Sequence, residues 1–433
     1  MTSKGSRLDP WVDSYATRAR GMTASEIRAL FSVASRPEVV SLAGGMPFVQ
    51  ALPMDAIAEM SARLIRERGP QALQYGSGQG DPTLREQIVE VMREVGIDGH
   101  PDEVVVTPGS QMALDIVVRI FCDPGDVVLV EAPSYVGALG VFRAYECDVI
   151  HVAMDSEGLI PNALEETIAS VRASGRKIKL IYTIPSFHNP AGVTQGPQRR
   201  SEILAIAQRS GILLLEDDPY GLLGFDGGPP PRAIRADEAD GVVYLGSFSK
   251  TIASGIRVGW ALAPHGVREK LVLASESAIL CPSNLTQFTV SEYLATQPWR
   301  QQIKVFQEVY RERRDALLDA LATYMPEGTT WTVPAGGFYS WLTLPPGLDS
   351  KAMLPRAIAA LVAYVPGTGF YVDGQGQHEL RLSYCYPDPD RIREGVRRLG
   401  TVMESELQLM QTFGADMPLH DSQGPQTPAP DLG

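Results

Sequence analysis

A chain of 433 residues, 44 % of them apolar, exceeds one ordinary hydrophobic core and is expected to form two domains. Its net charge of −13 argues against nucleic acid as a partner, because binders of a phosphate backbone gather a strongly basic face. Cys122, Cys147, Cys281 and Cys385 stand far apart, the start MTSKGSRLDPWVDS lacks an apolar leader, and no stretch reaches about 18 uninterrupted apolar residues, so zinc sites, disulfide frameworks, export and membrane spanning are not indicated and a cytoplasmic home is expected.

Seven short apolar runs follow one another with helix-like segments between them: EVVV (103–106), VVLV (127–130), CDVIHV (147–152), KIKLIYTI (177–184), GILLLE (211–216), VVYLGS (242–247) and VGWALA (258–263). Runs apolar on both faces are how buried, mainly parallel strands read, and their alternation with helices predicts an α/β sheet covered on both sides. Ligands of such sheets sit beyond the carboxyl ends of the strands. Here SFHNP, DDPYG and SFSK each follow a run, so three segments are expected to converge. Segment 299–325 carries Ile303, Phe306, Val309 and Tyr310 at helical spacing and predicts a helix joining two domains. Beyond it WTVPAGGFYSWLTL, a helix-like DSKAMLPRAIAALVAY and ELRLSYC suggest a smaller α+β domain. Residues 414–433 are rich in Pro, Gly, Asp and Gln, and a disordered tail without catalytic duty is expected.

The chemistry concentrates in SFSKTIASGIRVGW (247–260). Lys250 offers an amine that can form a Schiff base with pyridoxal 5'-phosphate (PLP), while Ser247, Ser249 and the planar fork of Arg257 can take its phosphate. Gly255 and Gly259 would let the backbone come close. In EDDPY a carboxylate could keep the pyridine nitrogen protonated. Asp217 is the choice, three residues before Tyr220, because Asp218 should face the other side of an extended segment. Tyr220 and Asn189 could both bond the ring hydroxyl.

After VVVTPG the chain restarts with helical spacing, so Ser110 and Gln111 stand at a helix N-terminus that favours a phosphate, although a plain serine cap would read the same way. Tyr135 in EAPSY could stack on the pyridine ring or simply fill the core. In HELRLSYC the leucines share one strand face, which turns Arg381 to the other. It could grip an α-carboxylate, although spacing alone would equally give an exposed arginine.

With these residues in view the chain resembles the fold type I, class I/II PLP-dependent aminotransferases, particularly the 2-aminoadipate and kynurenine aminotransferase branch. The likeness runs from TASEIRALFSVASRPEVVSLAGGMP through YGSGQGDPTLRE, GSQMALD, EAPSYVGAL, FHNPAGVT, EDDPYG and SFSKTIASGIRVG to RLSYC. It implies a large PLP-binding domain (48–295) built on a seven-stranded, mostly parallel sheet. An N-terminal segment (1–47) and a small α+β domain (296–413) complete the implied arrangement. The positions matching Lys250, Asp217, Tyr220, Asn189, Tyr135, Ser110, Gln111, Ser247, Ser249 and Arg257 would hold PLP. Arg381 would hold the substrate carboxylate, with Gly45 and Asn189 beside the substrate. The resemblance also implies a homodimer with shared sites, in which Tyr75 reaches the neighbour's phosphate and borders its substrate. Arg28 matches an arginine that meets a side-chain carboxylate. His188 departs from the family, where glutamine is common; the change could alter the pocket, and a surface histidine is the plainer expectation.

The expected activity is transfer of an amino group between an L-amino acid and a 2-oxo acid, with no metal. Elimination, decarboxylation or racemisation could use the same residues. An aminotransferase-like transcription regulator would need a DNA-binding domain for which the acid-balanced start leaves no room. A dinucleotide site at Gly76, Gly78 and Gly80 lacks the required spacing and a preceding strand.

Overall fold

A computed structural model describes residues 9, 11–20 and 36–413. After a two-residue strand β1 (Val40–Ser41), all seven anticipated runs are strands: β2 (Val104–Thr107), β3 (Val127–Ala132), β4 (Asp148–Asp155), β6 (Ile178–Thr183), β7 (Leu213–Asp217), β8 (Val242–Ser247) and β9 (Gly259–Leu262). They lie in one sheet in the order β2-β9-β8-β7-β6-β3-β4, extended by an eighth strand, β5 (Gly158–Leu159), that turns back on β4. Two residues are too few to carry a pattern, so the sequence gives no sign of β5. The five strands from β8 to β4 run parallel, and β9 is antiparallel to both its neighbours.

Burial on both faces explains the unbroken apolar runs. Val128 and Val130 pack with Leu114 and Val117 of the helix Ser110–Phe121. The alternate residues Val127 and Leu129 pack with Leu164 and Ile203 from the helices Pro161–Ala173 and Pro197–Ser210 on the other side. Period-two side-chain alternation thus serves two helical layers at once.

The 299–325 segment forms the helix Trp299–Tyr324, with Ile303, Phe306 and Tyr310 buried. It leads to an antiparallel sheet of β10 (Thr330–Trp331), β11 (Tyr339–Thr343), β14 (Glu379–Ser383) and β13 (Val365–Pro366), in that spatial order. The helix-like DSKAMLPRAIAALVAY stops at Ala359, and Val362–Ala363 becomes β12, which pairs in parallel with β1. That pairing carries the 40–46 backbone along the edge of the small sheet, where Leu42 O accepts from Ser383 N at 2.7 Å. The expected tail at 414–433 lies outside the described residues.

Candidate active site

Segments leaving the carboxyl ends of β6, β7 and β8 bring Asn189, Asp217 and Ser247 to one edge of the large sheet, beside the N-terminus of Ser110–Phe121. The Ser110 and Gln111 amides at the start of that helix have no intrahelical acceptor, and its cap is Gly109 at φ +87°, where an L side chain would be strained. A Cβ on Gly109 would also strike Arg257 Nη2. Arg257 itself is left-handed (φ 55°). It donates from Nη2 to Pro108 O at 2.8 Å and from Nη1 to Ser249 Oγ at 3.4 Å, while Ser247 Oγ donates to Ser249 Oγ at 2.9 Å. Two free amides, two hydroxyls and a guanidinium form a cradle for an anion. Gly259 makes the close approach possible, because a Cβ there would lie 2.5 Å from Ser110 N. Gly255 faces open space and is not required in this way. Gln111 contributes its amide, whereas its side chain donates to Gly137 O (3.0 Å) and accepts from the Tyr135 hydroxyl (3.3 Å). Tyr135 is raised to about 12 by burial and by the nearby Asp217.

Lys250 Nζ donates to Gly45 O at 2.9 Å. Burial lowers its ammonium to about 8, with Arg381 and Arg257 adding to the effect against Cys385. Gly45 is hemmed in on its other side by the Tyr339 hydroxyl, against which any Cβ would collide.

The three consecutive acids are buried and point to different partners. Glu216 accepts from Ile234 N and Arg235 N, both at 2.8 Å, and anchors that turn. Asp218 accepts from the Tyr244 hydroxyl at 3.3 Å and feels Arg200. Asp217 accepts from the Tyr182 hydroxyl at 2.8 Å through Oδ2, while Oδ1 has no partner. Burial pushes Asp217 up to about 7 even though Tyr182 opposes it. The alternation read from the sequence therefore separates Asp217 from Asp218 in space.

Arg381 is 2 % exposed and donates from Nη1 to Asn189 Oδ1 (2.8 Å) and from Nη2 to Ala43 O (2.7 Å), leaving Nε bare. Its guanidinium lies 4.2 Å above the Tyr339 ring. Tyr220 is buried, with its ring edge-on to that of Tyr339 at a centroid distance of 6.0 Å. Among the expected residues, Tyr75 is not drawn into this site: it is 75 % exposed on the surface. Arg28 lies outside the described residues.

The surface placement expected for His188 is wrong. Its side chain is wholly enclosed, with Nε2 lying 2.9 Å from Glu131 Oε2, off the ring's N–H axis, and Nδ1 accepting from Ala191 N at 3.2 Å. The segment after β6 folds back at Asn189–Pro190 and turns the histidine beneath the strand ends, against the buried carboxylate of Glu131. Tyr339, Tyr182 and Glu131 escaped the sequence reading. Each sits in an apolar run whose period-two pattern shows that residues alternate but not which face meets the site. Only Tyr339, beside the Gly336–Gly337 pair, carried a local hint of close packing.

Residues 37–399 match the family described as aminotransferase class I and II. The chain is 41 % identical over 396 residues to aromatic-amino-acid aminotransferase 1 of Thermococcus litoralis, covering 91 % of this chain and 94 % of that protein. It is 38 % identical over 403 residues to the 2-aminoadipate transaminase of Thermus thermophilus, covering 92 % and 99 %. The crystal structure of Pyrococcus horikoshii kynurenine aminotransferase in complex with PMP, KYN and KYA superposes with a TM-score of 0.88 at 39 % identity, covering 93 % of this chain and all of that one.

Proposed function

This chain belongs to the aminotransferase class I and II family, and from that premise we propose that it uses 2-oxoglutarate as acceptor and 2-aminoadipate, aromatic or aliphatic amino acids as donors. It is a PLP-dependent aminotransferase of fold type I. When bound, PLP supplies an electron sink for the charge left when a substrate loses its α-proton.

The residues present fit that cofactor. The observation that carries the reading is the bare, enclosed Oδ1 of Asp217, an acceptor waiting for a protonated ring nitrogen. The amides of Ser110 and Gln111, with Ser247, Ser249 and Arg257, would hold the phosphate. Tyr135 would flank the ring, and Asn189 and Tyr220 would meet its hydroxyl. Lys250 would anchor the cofactor and, once displaced, take and return the α-proton at Nζ. An ammonium lowered to about 8 leaves a useful fraction of free amine near neutral pH. Arg381, with Nε free, would bind the α-carboxylate, while Gly45 lets the substrate lie against backbone.

For organisation we keep an N-terminal segment to residue 47, a large domain over 48–295 and a small one over 296–413; the pairing of β1 with β12 supports joining the first to the last. We also assign a cytoplasmic homodimer. All four cysteines are free thiols, and among the described residues no helix is long and apolar enough to cross a membrane. Leu73, Tyr75 and Leu280 are exposed on segments linked by the bond from Gly76 N to Cys281 Sγ, and offer an apolar face to a second copy. There Tyr75 would complete the neighbour's site.

The test is to supply purified protein and PLP with a panel of amino donors and 2-oxoglutarate, following glutamate and each new 2-oxo acid. Matched formation of the two supports the reading. Ammonia or carbon dioxide without glutamate would assign elimination or decarboxylation instead.

A further inference from the structure

We infer that His188 is a positioning residue whose contact with Glu131 fixes Asn189 and, through it, the guanidinium of Arg381. The inference rests on the reading of Arg381 as the carboxylate-binding residue. Glu131 lies near the end of β3, on the segment that continues to Tyr135, and His188 immediately precedes Asn189 on the segment leaving the adjacent β6. Their contact ties together two loops that carry site residues.

Glu131 is also held by Thr183 Oγ1 (2.6 Å), Ile184 N (2.9 Å) and Gln195 Nε2 (3.0 Å). Burial alone would raise its carboxyl, but the facing His188, with Thr183 and Ile184 N, outweighs burial and keeps it below the ordinary value. Because His188 Nδ1 accepts from Ala191 N, the ring proton belongs on Nε2, the nitrogen facing the carboxylate. The same residue closes its turn through His188 N to Val193 O (2.8 Å) and Gly192 N to His188 O (2.6 Å). To a turn closed by these backbone bonds the side chain adds a brace from inside, through Ala191 N, and a contact with Glu131 of β3. What the turn presents is Asn189, whose Oδ1 is one of only two hydrogen-bond acceptors for Arg381 among the described residues. Without the brace, Arg381 loses a fixed direction and a carboxylate loses its preformed fork.

The test uses PLP-loaded enzyme with steady-state kinetics in 2-oxoglutarate. His188→Leu is expected to raise KM about tenfold with kcat changed less than about threefold, because the carboxylate is gripped before and during reaction alike. His188→Gln, which keeps an N–H group facing Glu131, should hold KM within about threefold of wild type. In an Arg381→Lys background His188→Leu should add less than about twofold, since both changes act on one contact. An unchanged KM in His188→Leu, or a full multiplication of the two effects, overturns the inference. If Arg381→Lys itself leaves KM unchanged, the carboxylate reading of Arg381 fails, and the route proposed for His188 fails with it. Should His188→Leu not accumulate as folded protein, His188→Asn, too short to reach both Glu131 and Ala191 N, takes its place: a raised KM supports the inference and an unchanged one overturns it.

Discussion

The Tyr182 hydroxyl donates to Asp217 at 2.8 Å and occupies only one of its two carboxylate oxygens. Asp217 is thereby aimed as well as buried; Asp218, whose Oδ1 is likewise without a hydrogen-bond partner, is turned instead to Tyr244 and the Arg200 side of the sheet.

From that division, Asp217→Asn should retain some PLP and lose turnover by roughly a hundredfold or more, because an amide cannot hold the ring nitrogen protonated. Asp218→Asn should cost less. Turnover with a saturating donor decides between them, and a larger loss at Asp218 would reverse the assignment.

Lys250 makes a prediction in pH. Its ammonium is lowered from 10.5 to about 8, so between those values the unfolded chain of cofactor-free protein binds a proton that the folded state has shed. Stability contributed by this group therefore rises with pH across that window and is flat below it. Relative to Lys250→Met, the melting temperature of cofactor-free wild type should climb from about pH 8 to about pH 10. Borohydride treatment of the PLP-loaded enzyme should leave the cofactor on the Lys250 peptide; attachment to another lysine would refute the assignment.

The phosphate cradle can be tested through two glycines. Gly259→Ala sets a methyl group 2.5 Å from Ser110 N and should weaken PLP binding by about tenfold or more, whereas Gly255→Ala meets open space and should leave affinity unchanged. Titration of cofactor-free protein with PLP, read by fluorescence quenching, measures both. Equal affinities would remove the helix N-terminus from phosphate binding.

Arg28 is assigned to substrate choice by resemblance alone. Arg28→Ala should lower kcat/KM for glutamate or 2-oxoglutarate by roughly ten- to a hundredfold, the worth of a charged hydrogen bond of about 1.5 to 3 kcal/mol, and spare aromatic or aliphatic donors. Single-turnover rates with both substrate kinds check this, and equal losses would exclude Arg28 from specificity.

What was legible in the sequence depended on range. The seven strands were readable because burial on two faces makes each run apolar throughout, and Lys250, Ser249 and Arg257 because they lie within one short segment. The Asp217 register followed from strand alternation. Contacts that join distant segments left no such trace. Tyr339 against Gly45, Tyr182 on Asp217, and His188 against Glu131 are contacts between strands or loops far apart in the chain, whose neighbours are set by topology, not by spacing. His188 shows this most clearly: a polar residue in a Pro-flanked loop reads as surface until the loop is seen to tuck its side chain under β3.

The 40–46 backbone also bears on how the molecule is made. Ala43 O takes Arg381 and Leu42 O takes Ser383, contacts that span 338 residues in the first case. A ribosome releases the early half of each contact long before the late half exists, so the large sheet can assemble while this strip still has nothing to lie against. The side assigned to substrate binding is accordingly the last portion to be completed during synthesis, and a nascent chain stalled before β14 would carry the cradle assigned to the cofactor without the arginine assigned to the amino acid.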